Sequence, residues 1–412
     1  MKNISIFSVA LGALAITSCD LLSPGDVQNP NVVESDFAAS TDAMAIWVNG
    51  TNASFGACVS SFAEITAILS DDVHNNSSHS AKTYDVLDIA YTDGEVAKLS
   101  THIGKMIEMA DFGLETIAAN DPAATDAERF NLLYIKAIAY LMGAENFVAL
   151  PASADGPMLT SRELADAAMK TLDAAGTLAI NPALVDLLRA RASRLMGLSD
   201  DAKTYAQRAL DAAPQLLVEA QFDDINGYSN TLQSYVANDL FTILPRLAAQ
   251  RVKCPQAGLH EQPIAVAKAE EAHLILAECA VAGGNFDAAR THLCNLLSLV
   301  QLRDDPSVTT VSLTAADVAL ATTREKLYET LYTLRQETFF AEGLRSSDMG
   351  IRLPLSEVEF ASRGTLSNEL KQPVIPAYLD TIRATVDDHA DLNAIMVRAA
   401  KEIFPLEEPA GK

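Results

Sequence analysis

From residue 36 onward, apolar side chains recur every three to four positions, the spacing that gathers them on one face of an α-helix. That period predicts helices over 36–50, 55–70, 94–119, 126–146, 161–177, 182–196, 200–212, 265–282, 286–300, 314–344, 377–386 and 392–402. Thr125, with Glu128 three residues on, reads as a capping box, and Ser161 is placed at the start of a further helix with Leu164 on its apolar face. With 19 Gly and 16 Pro in 412 residues, turns are too sparse for an all-β chain, which needs one about every ten residues. The expected class is all-α.

Charge narrows the partners. Lys and Arg number 30 against 54 Asp and Glu, a net −24, so the average field repels phosphate backbones and anionic headgroups. Nucleic acid is not an expected partner. At 49% hydrophobic residues the chain carries enough apolar surface for a large core.

The N-terminus reads as an address. Lys2 is followed by an uncharged apolar run from Ile4 to Ile16, and Ile16-Thr17-Ser18-Cys19 has the form of a bacterial lipobox. This predicts a signal peptide over 1–18, a diacylglyceryl group on the Cys19 thiol and a tether over 19–35 containing Pro24, Gly25 and Asn29-Pro30-Asn31. No other stretch reaches the roughly 18 uncharged apolar residues of a membrane span, so contact with the membrane is expected through the lipid alone.

Beyond Cys19 stand Cys58, Cys254, Cys279 and Cys294. Four cysteines in an exported chain allow three disulfide pairings, with buried free thiols as the other state. Cys254 with Cys294 is the first pair to test, because Cys254 sits in a Pro-rich loop able to fold over a helix. No Cys-x-x-Cys occurs.

Two predicted hairpins carry small and bulky packing residues at tetratricopeptide-like offsets: Ala190, Gly197, Ala202, Ala209 and the helix-ending Pro214 in one, Leu276, Ala277, Ala280, Gly284, Phe286 and Ala289 in the other. Such positions let antiparallel helices approach closely, as in tetratricopeptide units. Segments 103–146 and 161–196 supply further hairpins, giving a curved scaffold. Residues 214–264, broken by Gly227, Pro245, Pro255, Gly258 and Pro263, fit neither helical nor strand period and read as an irregular insertion. Insertions of this kind on a rigid frame usually carry function.

The segment Leu331 to Met349 ends in Glu342-Gly343-x-Arg345-x-x-Asp348, with Arg335 upstream. It resembles the C-terminal signature of the SusD/RagB family of outer-membrane nutrient-binding lipoproteins, although Thr338 stands where that family usually has glutamate and Met349 replaces a leucine. The lipobox, Asn29-Pro30-Asn31, the helix from Phe130, the pair from Ala269 to Leu293 and the ending Ile403-Phe404-Pro405-Leu406-Glu407-Glu408 follow the family's order along most of the chain. Physically, Glu342, Arg345 and Asp348 at intervals of three share a helix face and form a charge ladder, with Gly343 admitting a neighbouring backbone. An arginine between carboxylates holds both ionised, which suits structure more than proton transfer.

The resemblance implies a single SusD-like domain over 36–412 that is not an enzyme and needs no cofactor. It further implies a protein at the cell surface, lipid-anchored in the outer membrane, that binds an oligosaccharide or other small polymer and delivers it to a TonB-dependent barrel. In such proteins ligand contacts come from an early loop and from the later irregular segment. Asp72, Asn75 and Asn76 are then candidates for hydrogen bonds to sugar hydroxyls, and Tyr84, Tyr228 and Tyr235 for flat apolar faces. Aromatics make up only 6% of the chain, so a peptide or small metabolite stays open as ligand. Trp47, amid Met44, Ile46 and Val48, is expected in the core rather than as a sugar platform. The polar loop 70–79, with Asp71, Asp72, His74 and His79, has neither EF-hand nor helical His-pair spacing and is not read as a metal site. The alternative function is a tetratricopeptide-type envelope lipoprotein that scaffolds other proteins. A hydrolase is disfavoured because no nucleophile and base pair by motif.

Overall fold

The computed structural model describes residues 40, 42–76, 80–153, 156–225, 227–304, 308–364, 366–380 and 391–399. The lipobox, the tether, His79 and the closing segment 403–408 lie outside the described residues.

The expected helical class is what the chain adopts. The helices that build the frame are α1 (Ala43–Leu69), α2 (Gly94–Phe112), α3 (Asp126–Asn146), α4 (Ser161–Thr177), α5 (Pro182–Leu195), α6 (Ser199–Ala212), α7 (Thr231–Ala237), α8 (Ala269–Ala282), α9 (Phe286–Arg303), α10 (Ala315–Leu320), α11 (Arg324–Thr338) and α12 (Arg345–Asp348), with further short helices at Ala118–Asn120, Glu357–Ser362 and Leu392–Arg398. Strands are few and short: β1 (Val73–Asn75), β2 (Ala149–Pro151), β3 (Met158–Thr160), β4 (Leu217–Ala220), β5 (Phe241–Ile243) and β6 (Ile264–Lys268). They form three antiparallel ribbons, β1 with β5, β2 with β3 and β4 with β6.

Local chemistry explains most helix ends. Thr125 and Glu128 form the expected capping box on α3. On α4 the cap is one residue earlier than expected: Thr160 pairs with Glu163, and Ser161 instead donates to the Ala144 carbonyl at 2.5 Å. Asn181 caps α5, whose first residue is Pro182. The hairpin turns after α5 and α8 each pass through a glycine at φ +73°, Gly197 and Gly284, a conformation that costs an L-residue about 1–2 kcal/mol.

Four boundaries differ from the periodicity. The first two expected helices are one, α1, because the Asn49-Gly50-Thr51-Asn52 run stays helical; Thr51 turns its hydroxyl back to the Trp47 carbonyl at 2.9 Å. The segment expected as helix over 265–282 begins as strand β6, where β4 offers a partner, and turns helical at Ala269. The long helix expected over 314–344 is broken twice. Thr323 caps α11 afresh, and after Thr338 the backbone leaves the helix through Ala341 and Gly343 at positive φ. Of 377–386, residues Ala377–Leu379 form a 3-10 turn and 381–386 lie outside the described residues.

Successive helices pack as neighbours, α2 on α3, α3 on α4, α4 on α5, α5 on α6, α6 on α8 and α8 on α9. The matched alanines do what their size suggests: Ala190, Ala202, Ala209, Ala277 and Ala289 are buried where helices meet. One apolar cluster runs from Phe55 to Met396. Helix α1 is long and apolar enough to cross a membrane by composition, but most of its side chains lie inside this core. Buried ion pairs cross it: Arg191 grips Glu271 through Nε at 2.7 Å and Nη2 at 2.6 Å, and Arg194 Nε donates to Glu278 at 2.6 Å. Trp47 packs in a smaller cluster, its ring 4.9 Å from Phe112 and its Nε1 donating to the Met109 carbonyl at 2.8 Å, so it is not a surface platform.

Cys58, Cys254, Cys279 and Cys294 are free thiols, and the pairing of Cys254 with Cys294 is not made. Cys254 is buried, while Cys294 is partly covered on the flank of α9.

Candidate functional site

The insertion is less irregular than its sequence. Strand β4 pairs with β6, β5 pairs with β1, helix α7 lies between them, and a 3-10 segment spans Pro245–Lys253. These pieces pin 214–264 to the helical frame. Asn230 Nδ2 donates to the Gln262 carbonyl at 2.8 Å and Gln233 Oε1 accepts from the Gln262 amide at 2.9 Å, closing the insertion on itself. Arg246 holds the Asp71 carboxylate from across the chain.

Folded this way, the insertion and the ends of α9 and α11 enclose a cavity of about 310 Å³, within the usual range of small-ligand pockets. Its polar lining includes Glu219, Lys253, Gln262, Lys268, Arg303 and Glu342. A register shift between Val218 and Glu219 interrupts the β4–β6 ribbon at its wall.

Two ammonium groups share one carboxylate there. Lys268 Nζ donates to Glu342 Oε1 at 2.5 Å and to the Thr338 carbonyl at 2.7 Å. Lys253 Nζ lies 3.7 Å from the same Glu342 oxygen and donates to the Thr338 carbonyl at 3.1 Å. Both lysines thereby satisfy the open end of α11, where helical carbonyls lack partners. Burial pushes the Lys253 amine down to about 8, with Glu342 opposing and Lys268 reinforcing the shift. Arg303 forks onto Glu270 at 2.5 and 3.1 Å. The Thr338 hydroxyl is buried in the wall with no hydrogen-bond partner among the described residues. The lining thus combines donors and acceptors with the apolar side chains of Leu232, Val300 and Phe340, a mixture able to take a ligand rich in hydroxyls.

The signature residues divide between two jobs. Glu342, Arg345 and Asp348 do not form one ladder, because the helix ends before Glu342. Glu342 turns to the cavity lysines. Gly343 takes φ +80°, which is what calls for a glycine; a Cβ there would meet Phe62 Cβ on α1 only at the ordinary contact distance of 3.8 Å, so no neighbouring backbone makes the expected close approach. Asp348 instead closes a buried cluster, accepting from Arg335 Nε at 2.6 Å and Arg345 Nη1 at 2.8 Å, with Arg194 Nη1 at 3.3 Å. Burial alone would raise this carboxyl, but Arg335, Arg194 and Arg345 hold it at about 2.

The six residues expected as ligand contacts do not line the cavity. Asp72, Asn75 and Tyr84 are 1%, 0% and 0% exposed, so Asp72 and Asn75 do not present hydrogen-bonding groups on an open loop and Tyr84 does not present a flat face to a ligand. Asp72 accepts from Gln336 Nε2 at 3.3 Å, and burial raises its carboxyl to about 6 against the pull of Arg345. Asn76 is exposed, its amide nitrogen donating to the Leu240 carbonyl at 3.0 Å. That bond brings Asn76 to the turn after α7, whose Tyr235 stacks 5.1 Å from Phe241. Tyr228 is 43% exposed on a separate turn closed by its bridge to Asp223. Lys253, Lys268 and Gln262 were not anticipated. Their one sequence signal is position, in or beside the insertion.

No protein-family model matches the sequence, and no curated protein does. Solved structures do match by shape. A SusD superfamily protein from Bacteroides fragilis superposes with a TM-score of 0.59 at 16% identity, covering 85% of this chain and 100% of the other. A SusD-like carbohydrate binding protein from Bacteroides vulgatus gives 0.55 at 14% identity over 82% of this chain and 89% of the other. A further SusD-like protein from Bacteroides fragilis gives 0.55 at 10% identity, covering 77% and 87%. At such identities the likeness speaks for the fold, and the fold of this chain is that of the SusD superfamily.

Proposed function

We propose that this chain is a nutrient-binding protein of the bacterial envelope, taking an oligosaccharide or another hydroxyl-rich small polymer. The observation that carries the reading is the cavity of about 310 Å³, walled by the insertion and lined with both donors and acceptors, on a SusD-like frame. One solved relative in shape is described as a carbohydrate binding protein, which supports sugar over peptide. Binding rather than catalysis is the role, with specificity set by Lys253, Lys268, Gln262 and Glu342. Asn76, Tyr228 and the half-buried Tyr235, all outside the cavity lining, are proposed as secondary contacts.

The finer reading follows from the sequence. Residues 1–18 direct export, Cys19 carries the lipid, 19–35 form the tether, and 36–412 act as one domain that hands ligand to a TonB-dependent outer-membrane barrel. Purification of the tagged lipoprotein in mild detergent, followed by identification of what accompanies it, tests the hand-off. A stoichiometric barrel is the expected result. Recovery with soluble or assembly proteins and no barrel overturns it and favours the scaffold alternative. Calorimetric titration of the wild type and Lys268→Met with an oligosaccharide panel tests the cavity separately; binding unaltered by the substitution removes the site.

A further inference from the structure

On the flank of the α8–α9 hairpin, outside the cavity above, two imidazoles face each other. His273 Nδ1 and His292 Nδ1 lie 3.2 Å apart, with ring centroids at 5.5 Å and planes inclined by 41°. Both rings are half-buried and open on a shallow surface cavity of about 490 Å³, whose rim includes Gln207, Asn295 and Ser298. No loop separates them from the frame: each sits in the middle of a packed helix, so their spacing is set by the hairpin itself.

That spacing is informative. Two nitrogens 3.2 Å apart subtend roughly 100–106° at an ion about 2.0–2.1 Å from each, close to the tetrahedral angle preferred by zinc. We propose that His273 and His292 form a site for an imidazole-preferring divalent transition metal, Zn²⁺, Ni²⁺ or Cu²⁺, held through both Nδ1 atoms. The ion takes the place of the Nδ1 hydrogen bond between the rings, and the ring that donated it moves its proton to Nε2, so that both imidazoles stay neutral with their protons on Nε2. Burial lowers both imidazoles, and His292 adds to the effect on His273, which falls to about 4. Each ring is therefore neutral near pH 7, the form that ligates. Among the described residues no three His, Cys, Asp or Glu side chains converge on one point. The site thus supplies two protein ligands and leaves the outward positions to water or to a donor from a second molecule. Hard cations that seek oxygen, Mg²⁺ and Ca²⁺, have no basis for binding here.

Calorimetric titration of the untagged chain with Zn²⁺ and Ni²⁺ tests this, with Mg²⁺ as control. One ion per chain is expected, weakened at least about tenfold in His273→Gln and in His292→Gln, since even outer-shell partners of a metal ligand are worth that much. Anomalous diffraction at the zinc edge from Zn²⁺-soaked crystals of the unaltered protein should place a peak within bonding distance of both Nδ1 atoms, whatever the variants do to folding. No saturable binding, equal binding by folded variants, or a zinc peak elsewhere on the chain overturns the site.

Discussion

Asp348 on α12 accepts a hydrogen bond from Arg335 Nε on α11 at 2.6 Å, joining two helices across the break at 339–344. Arg345 and Arg194 converge on the same carboxylate, and Arg345 is 1% exposed. Removing this anion leaves the buried guanidiniums of Arg335 and Arg345 without their shared carboxylate, while Arg194 keeps Glu278. Asp348→Asn is expected to lower unfolding free energy by about 3–5 kcal/mol, the cost of stranding buried charge, read from urea denaturation. The pH sign follows from the depressed carboxyl: its stabilisation is full above the unfolded pKa of 3.8 and is lost as pH falls toward about 2.

Gly113 opens a π-turn, Gly113–Ile117, at the end of α2, against the only tryptophan. A Cβ there would lie 2.7 Å from Trp47 Cδ1 and would also press on Leu132. Gly113→Ala should displace the indole, weaken its bond to Met109 and cost about 1–3 kcal/mol, the usual range for overpacking. Trp47 fluorescence reports it directly: a shifted emission maximum is expected, and an unchanged spectrum with unchanged stability would mean that the ring does not pack there.

What was legible in the sequence was whatever is decided within a few residues. Thr125 and Glu128 announce α3 because a capping box is local chemistry, and the small residues of the two repeat hairpins mark close helix contacts for the same reason. Strand β6 was not legible, because five residues continuous with a helical run become a strand only when β4, 44 or more residues earlier, offers its edge. The site was illegible for a stronger form of that reason. Lys268 and Glu342 stand 74 residues apart and meet only once α11 has ended early. Asp72 and Asn75 show the converse: a polar loop reads as solvated until Gln336, 264 residues on, covers Asp72.

The four thiols carry a redox prediction. Cys58, Cys254 and Cys279 are each pushed up to about 12, first of all by burial, so little thiolate forms near neutral pH. In the folded protein these three should react slowly with a thiol reagent, four equivalents per chain beyond Cys19 should be reached only in denaturant, and melting should occur at the same temperature with or without dithiothreitol. A lower melting temperature under reduction would reveal a disulfide.

Lys253 offers the most direct reading of the cavity. Its amine is pulled to about 8 because burial strips water from the ammonium, and the single carboxylate of Glu342 is divided between it and Lys268. Reductive ¹³C-methylation should therefore yield one lysine resonance that titrates near pH 8, while lysines in water titrate above about 10. That resonance should vanish in Lys253→Arg. Because the folded pKa lies below the unfolded 10.5, the unfolded chain binds the extra proton between those values, and this group's contribution to stability rises with pH from about 8 to 10.5. In Lys253→Met that part of the slope disappears. An oligosaccharide that enters the cavity and takes a hydrogen bond from Lys253 will move the same resonance, whereas one bound only at Asn76 or Tyr228, outside the cavity, will leave it in place. Titration of every lysine above about 10 would mean that the Lys253 ammonium is solvated and that its surroundings do not depress it.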